Sequence, residues 1–91
     1  MQVEFDPEKA AANLRKHGVS LDEAVESLLD PLALVREDEN AEGEARFVLV
    51  GVSHEGRLLT VCYALPDEET IRLISGRKAT AKEKRQYAEG I

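Results

Sequence analysis

The sequence predicts an α+β domain built on a curved, mainly antiparallel sheet, with two helices near its beginning and one at its end. Residues 7–29 contain two capped stretches with helical spacing, and residues 46–75 contain three strand-like runs joined by short turns. The element order β-α-α-β-β-β-β-α favours antiparallel pairing among the later strands, and we expect the helices to cover one face of the sheet. The length of 91 residues predicts one domain, 1–91.

The first helix follows a short strand at residues 2–5, where polar and apolar side chains alternate. Asp6 provides an N-cap, and Pro7 occupies the first helical position, where its missing N–H costs nothing. We expect the helix to run to about His17 and to end at Gly18, which readily adopts the left-handed conformation of a helix terminus.

The second helix begins with a capping box formed by Ser20 and Glu23. Apolar residues at 21–29 repeat at the spacing of one helical face, which predicts that this face belongs to the core. Asp30 precedes a proline and therefore ends the helix. A short strand is expected at 32–36.

The second half of the chain predicts a β-rich sheet. Residues 37–44 carry five acids and are typical of a solvated loop. The runs at 46–53 and 57–65 predict a hairpin, and the first is apolar on both faces, as in a central strand. A last strand at 70–75 leads to Thr80, which begins the final helix with a second capping box.

Charge is distributed unevenly along this acidic chain, whose formal net charge is −6. Residues 1–70 carry six cations and sixteen acids, whereas residues 71–91 carry six cations and two acids. The overall charge argues against a general nucleic-acid coat or a membrane-surface protein, but the basic end can attract a polyanion locally. Its cations are Arg72, Arg77, Lys78, Lys82, Lys84 and Arg85.

A single cysteine, Cys62, lies within an apolar run and predicts a small buried strand residue. It excludes an intrachain disulfide and a Cys-based metal cluster. The sequence shows no signal peptide and no apolar run of about 18 residues, so we expect a cytoplasmic protein. Motifs typical of zinc sites, nucleotide-binding loops, serine hydrolases and EF-hands are also missing, and we predict no metal or other cofactor.

Two sets of polar residues have the spacing of a phosphate-binding helix face. Lys78, Lys82 and Arg85 recur at i, i+4 and i+7, and Arg77 stands where the last strand meets the helix. The same spacing occurs on the first helix at Lys9, Asn13 and Lys16. The alternative is that these residues form solvated amphipathic surfaces.

Cleavage of RNA by its own 2′-hydroxyl group requires proton transfer and cations that stabilise charge on the phosphoryl oxygens. Arg77 and Arg72 are candidates for the cationic role. His17 and Tyr87 are candidates for proton transfer, whereas His54 lies in a hairpin turn and is expected to be merely exposed.

The two proton-transfer candidates also have structural interpretations. A histidine at a helix end, such as His17, is an ordinary C-terminal cap. Tyr87 is equally consistent with the aromatic anchor of a thin helix, and a tyrosine needs neighbouring cations such as Lys84 and Arg85 to lower its pKa from about 10.

The chain resembles the BrnT toxins of type II toxin-antitoxin systems over nearly its whole length. The similar segments begin at residues 5, 30, 46 and 71 and read F-D-P-E-K-A-A-A-N-L-R-K-H-G-V-S-L-D-E-A, D-P-L-A-L-V-R-E-D-E, R-F-V-L-V-G-V-S-H-E-G-R-L-L-T-V-C-Y and I-R-L-I-S-G-R-K-A-T-A-K-E-K-R-Q-Y. The resemblance implies a RelE-like fold and an endoribonuclease that inhibits translation. It also implies neutralisation by a BrnA antitoxin with a ribbon-helix-helix domain, through which the complex binds operator DNA.

The positions that match the family pattern are Lys16, His17, Gly18, Arg57, Arg72, Ser75, Arg77, Lys78 and Tyr87. The leading hypothesis is therefore the ribonuclease that the resemblance implies, acting without a metal ion, and side-chain type suggests the role of each residue. Arg77 and Arg72 stabilise the phosphoryl charge, and either His17 or Tyr87 moves protons. The RNA strand is held by Lys78, Lys82, Arg85, Arg57 and Lys16. The chain departs from the pattern at Gly76, where alanine is expected, and in its overall acidity.

This hypothesis predicts that Arg72, Arg77 and His17 converge on one cavity. The alternative function is a non-catalytic interaction module that docks an acidic partner segment through the basic C-terminal edge. Growth arrest on expression in a bacterium distinguishes the two.

Overall fold

The computed structural model describes residues 1–90 of the chain. Its elements, in chain order, are β1 (Gln2–Glu4), α1 (Pro7–His17), α2 (Leu21–Ser27), β2 (Leu34–Glu37), β3 (Ala45–Val52), β4 (Leu58–Asp67), β5 (Thr70–Lys78) and α3 (Ala81–Glu89). The α+β class and the predicted order of elements are confirmed.

The five strands form one sheet in the order β1-β5-β4-β3-β2. All neighbouring pairs are antiparallel except β1 and β5, which run parallel. β3 has neighbours on both sides, as its apolar pattern predicted, although β4 occupies the centre. Cys62 pairs with Ser75 and Tyr63 pairs with Leu73, so Ile74 is an extra residue that makes a bulge in β5.

Capping residues set the beginnings of the helices. The Asp6 carboxylate accepts a hydrogen bond from the Glu8 N–H, and the Ser20 hydroxyl accepts one from the Glu23 N–H. The bounds of α1 agree with the sequence prediction. α2 ends two residues earlier than predicted, at Ser27, and the chain then enters a turn.

The core lies between α1, α2 and one face of the sheet. Its fully buried side chains are Val19, Leu21, Ala24, Leu59, Val61 and Leu73. Side chains alternate along a strand, so Leu59 and Val61 face this core while Thr60 and Cys62 face the opposite side of β4. Cys62 is a strand residue as predicted, but it is only half-buried, and this burial raises the pKa of its thiol.

α3 packs on the opposite face of the sheet from α1 and α2, which corrects the expectation that all helices share one face. The Thr60 hydroxyl donates a hydrogen bond to Glu83 of α3 at 2.9 Å. Arg77 pairs with Thr60 across β4 and β5 and also binds Glu83. These contacts hold α3 on this face. β5 ends at Lys78 and α3 begins at Ala81, so only two residues separate the strand from the helix. No helix within residues 1–90 is long and apolar enough to cross a membrane.

Candidate active site

α1 is fixed against the edge of β5 by the side chain of Asn13. β1 pairs with β5 only as far as Arg72, and beyond that point the edge has no strand partner. Asn13 Nδ2 donates hydrogen bonds to the carbonyl oxygens of Gly76 and Val19, both at 2.8 Å, and its Oδ1 accepts from the Gly76 N–H at 3.1 Å. The amide therefore satisfies backbone groups that a strand would otherwise satisfy, and it holds the polar face of α1 beside Ser75.

A cavity of about 220 Å³ lies where α1 meets β5, and we call it the α1–β5 cavity. Lys9, Lys16 and His17 of α1 line one side of it, and Ile74 and Ser75 of β5 line the other. It thus brings two predicted site residues, Lys16 and His17, together beside β5. The side chain of His17 is half-buried there.

Arg72 lines two other cavities, which we call the Arg72 cavities. One, of about 330 Å³, also contains Arg46 and the residues Glu42 to Glu44 of the acidic loop. The other, of about 380 Å³, contains Glu4 and Asp6. Lys9 lines both, as well as the α1–β5 cavity, so it lies between Arg72 and His17.

The charge of Arg72 is offset by two carboxylates. Its Nε donates to Glu4 at 3.1 Å, and its Nη1 donates to Glu44 at 2.8 Å. The hydrogen bond with Glu4 and the nearby charge of Glu44 raise the pKa of the guanidinium further. Because the side chain is 43% exposed, these pairs are in contact with water and an external anion can compete for Arg72.

Arg77 is held in a two-pronged ion pair with Glu83 of α3. Its Nη1 donates to Oε1 at 2.8 Å and its Nη2 donates to Oε2 at 3.1 Å. Burial raises the pKa of Glu83, but hydrogen bonds from Arg77, the Thr80 N–H and Thr60 outweigh it and lower the pKa to about 2. Arg77 lines neither the α1–β5 cavity nor the Arg72 cavities. These cavities therefore do not show the predicted convergence of Arg72, Arg77 and His17.

Arg57 also binds a carboxylate, that of Glu23 in α2, through both Nε and Nη2. Glu23 is only 7% exposed and accepts a further hydrogen bond from the Ser53 hydroxyl at 2.8 Å. The hydrogen bond with Arg57 is the main reason that the pKa of Glu23 falls to about 2, against the effect of burial. Arg57 thus joins the β3–β4 turn to α2.

Tyr87 donates a hydrogen bond from its hydroxyl group to Asp30, in the segment between α2 and β2. This hydrogen bond, together with burial, raises the pKa of Tyr87. The shift is opposite to the lowering of the pKa that Tyr87 would need for proton transfer near neutral pH. The phenol consequently stays protonated at neutral pH and links α3 to the rest of the molecule.

The remaining residues that the sequence predicted to hold an RNA strand are exposed on the C-terminal part of the chain. Lys78 ends β5, and Lys82 and Arg85 lie on α3. None of the three has an ion-pair partner within residues 1–90, and none lines the cavities described above. We call these three exposed cations the basic surface; they do not share one helical face as predicted, because Lys78 lies in β5 and α3 begins at Ala81. Within the same residues, no group of three or more His, Cys, Asp and Glu side chains is arranged to hold a metal ion.

The model of the family described as "Ribonuclease toxin, BrnT, of type II toxin-antitoxin system" matches residues 5–83. The chain belongs to the BrnT family. The crystal structure of the Brucella abortus ribonuclease toxin BrnT superimposes with a TM-score of 0.68. This match covers 88% of the present chain and 97% of the Brucella chain at 22% sequence identity, and it shows a shared fold. Comparison with curated proteins finds no significant match.

Gly76, the departure from the BrnT pattern noted above, lies where β5 approaches α2 closely. A Cβ atom at this position would be 3.0 Å from the Cβ of Ala24 and 3.6 Å from a methyl carbon of Val19. The glycine therefore accommodates close packing between strand and helix. It does so beside the backbone groups that Asn13 binds.

Several residues that shape this BrnT site could not be identified as such from the sequence. Helical spacing placed Lys9 on one face with Lys16, but it gave no indication that Lys9 lies next to Arg72. The capping box identified Glu83 as a helix-start residue without showing that it binds Arg77. Asp30 likewise appeared only as a residue before proline. Their partners come from distant parts of the chain, and local patterns carry no signal for such contacts.

Proposed function

We propose that this BrnT-family chain is a toxin that cleaves RNA, arrests translation in the cytoplasm, and is neutralised by a BrnA-like ribbon-helix-helix antitoxin. The family match over residues 5–83 is the observation that carries the proposal. Operator DNA is contacted only by the toxin-antitoxin complex, through the antitoxin. The chemistry uses the chain's own side chains and no metal ion.

His17 is the proposed proton-transfer residue, because it lines the α1–β5 cavity together with the cation Lys16. The imidazole takes the proton of a ribose 2′-hydroxyl group, whose oxygen attacks the adjacent phosphorus. The bond between phosphorus and the 5′ oxygen breaks, that oxygen takes a proton from water, and the hydroxide ion formed takes the proton held by the imidazolium. The products are a 2′,3′-cyclic phosphate and a 5′-hydroxyl end.

Cations around the cavity stabilise the negative charge that develops on the phosphoryl oxygens. Lys16 is next to His17 in the same cavity, and Arg72 lies on the far side of Lys9, where a neighbouring phosphate can displace Glu4 and Glu44. Arg77 and Tyr87 reach the RNA only where Glu83 and Asp30 release them. Lys78, Lys82 and Arg85 bind more distant phosphates, and Arg57 supports the hairpin.

The central experiment incubates the purified chain with RNA in EDTA and identifies the new ends. We expect cleavage with cyclic phosphate ends, and we expect His17→Asn to lower kcat by at least a hundredfold. His54→Asn is the matched control, because His54 is an exposed histidine on the β3–β4 turn whose Nδ1 lies 3.8 Å from Glu26. Loss of all cleavage in EDTA would contradict the metal-free chemistry. Equal activity of wild-type and His17→Asn protein would move the reaction centre elsewhere.

Expression in a bacterium tests the biological role. Induction of the wild-type chain should stop growth, and co-expression of a ribbon-helix-helix protein from the adjacent gene should restore it. The rival function, docking of an acidic partner segment through the basic edge, predicts normal growth and intact RNA. Protein that folds, binds its partner and cleaves no RNA would favour the rival.

A further inference from the structure

Lys9 occupies a central position in the groove between α1 and β5. It lines the α1–β5 cavity and both Arg72 cavities. Lys16 lies seven residues later on the same helical face, which corresponds to about 10 Å along the helix axis. The two lysines are therefore spaced along the helix to contact several consecutive phosphates of a nucleic-acid strand, rather than one small anion.

Among the described residues Lys9 has no ion-pair partner, although acidic residues also line the two Arg72 cavities beside it. Within residues 1–90, neither Lys9 nor Lys16 has a carboxylate oxygen within 4.0 Å, whereas Arg57, Arg72 and Arg77 each bind at least one. A cation without a counterion inside the protein can bind an external anion without first breaking an ion pair.

The α1–β5 cavity also has no acidic lining residue among the described part of the chain. The Arg72 cavities, by contrast, contain the acidic residues Glu4, Asp6, Glu42 and Glu44. The polar residues that line the α1–β5 cavity are Lys9, Asn13, Lys16, His17 and Ser75, so a bound anion meets no carboxylate there.

We propose that Lys9, with Lys16, forms a phosphate-binding subsite of the α1–β5 cavity that positions an RNA strand along α1 for reaction at His17. This subsite rests on the proposed ribonuclease function for its role, but its binding of a phosphodiester strand is a separate property. Lys9 is a positioning residue: it holds the backbone and leaves proton transfer to His17.

The binding test uses a single-stranded oligodeoxynucleotide, which lacks the 2′-hydroxyl group and so cannot be cleaved by the proposed reaction. Fluorescence anisotropy of the full chain should show that Lys9→Ala raises Kd about tenfold at low salt. The slope of log K against log salt concentration should decrease by about 0.7. Lys9→Arg should restore most of the binding. Arg15→Ala is the control, because Arg15 is an exposed cation of α1 that lines none of the three cavities.

The kinetic test separates positioning from chemistry. Lys9→Ala should raise KM for RNA and leave kcat within about threefold, whereas His17→Asn lowers kcat. Wild-type affinity in Lys9→Ala, or equal weakening by Arg15→Ala, would overturn the subsite. Lys9-dependent binding without RNA cleavage by the wild type would leave the subsite standing and refute the ribonuclease. Cleavage of RNA with the same kinetic constants in Lys9→Ala and wild-type protein would refute the subsite and leave the ribonuclease standing.

Discussion

Asn13 binds both backbone groups of Gly76, donating to its carbonyl oxygen and accepting from its N–H. It makes a third hydrogen bond with Val19, and its side chain is buried. One amide therefore joins α1, the segment before α2, and β5. The position of Lys16 and His17 beside Ser75 depends on this junction.

Asn13→Asp should destabilise the protein by about 3 kcal/mol, because a carboxylate cannot donate to the two carbonyl oxygens and leaves them unsatisfied. Urea unfolding followed by circular dichroism measures the change. Asn40→Asp, at an exposed position in the acidic loop, is the matched control and should change stability by less than about 0.5 kcal/mol. A loss in Asn13→Asp no larger than in the control would show that the junction contributes little.

Local signals in the sequence were sufficient for the order of the elements and for the beginnings of the helices, but not for the ends of α2 and β5. Asp6, Pro7 and Gly18 specify the ends of α1, since N-capping, a first-turn proline and a left-handed C-terminal glycine act within a few residues. The Thr80 capping box similarly specified the start of α3. Each of these capping signals depends only on residues that are close to it in the sequence.

Long-range pairing explains what the sequence could not predict. Arg72 binds Glu4, which is 68 residues away, and Arg57 binds Glu23, which is 34 residues away. The sequence therefore suggested free arginines where the fold pairs them with acids. The side of the sheet that α3 covers is also set by a non-local contact, that between Thr60 and Glu83.

Gly51→Ala should destabilise the fold by about 3 kcal/mol. A Cβ atom at Gly51 would lie 2.6 Å from the backbone oxygen of Ser27, so strand and helix would have to separate. Gly76→Ala, the residue expected from the family pattern, should cost less, because its closest contact is the Ala24 methyl at 3.0 Å. Urea midpoints of the two variants give the comparison, and a larger loss in Gly76→Ala would contradict this packing.

Stability should fall at acid pH through Glu23 and Glu83. The pKa of each is lowered from 4.5 to about 2 in the folded state, so each favours folding above pH 4.5 and loses this contribution as the pH falls toward 2. Glu23→Gln and Glu83→Gln should each flatten the dependence of the urea midpoint on pH between 6 and 2. Glu39→Gln, in the exposed acidic loop, is the control. If the urea midpoint depended on pH in the same way in the wild type and all three variants, neither Glu23 nor Glu83 would contribute to the acid sensitivity of the fold.

The basic surface of Lys78, Lys82 and Arg85 should contribute to RNA affinity through counterion release. Replacing all three with alanine should reduce the slope of log K against log salt concentration by about 2, since each phosphate contact on a single strand contributes about 0.7. Lys84→Ala, on the same helix but outside this spacing, should reduce the slope by less than 0.7. Anisotropy titrations at several salt concentrations measure both. An unchanged slope in the triple variant would assign RNA binding to the α1 side alone.

Arg77 and Glu83 together test whether Arg77 acts on RNA or only holds α3. Either Arg77→Ala or Glu83→Gln disrupts the ion pair, and we expect both to increase amide hydrogen exchange in α3, because no α3 residue is buried and the helix depends on such contacts. If Arg77 only anchors the helix, the two variants should lose RNA cleavage to the same extent. If it also stabilises the phosphoryl charge, Arg77→Ala should lower kcat by at least a further tenfold, whereas Glu83→Gln frees the guanidinium and retains activity. We expect the first result, because Arg77 is held on Glu83 of α3 and lines none of the cavities beside His17 and Arg72.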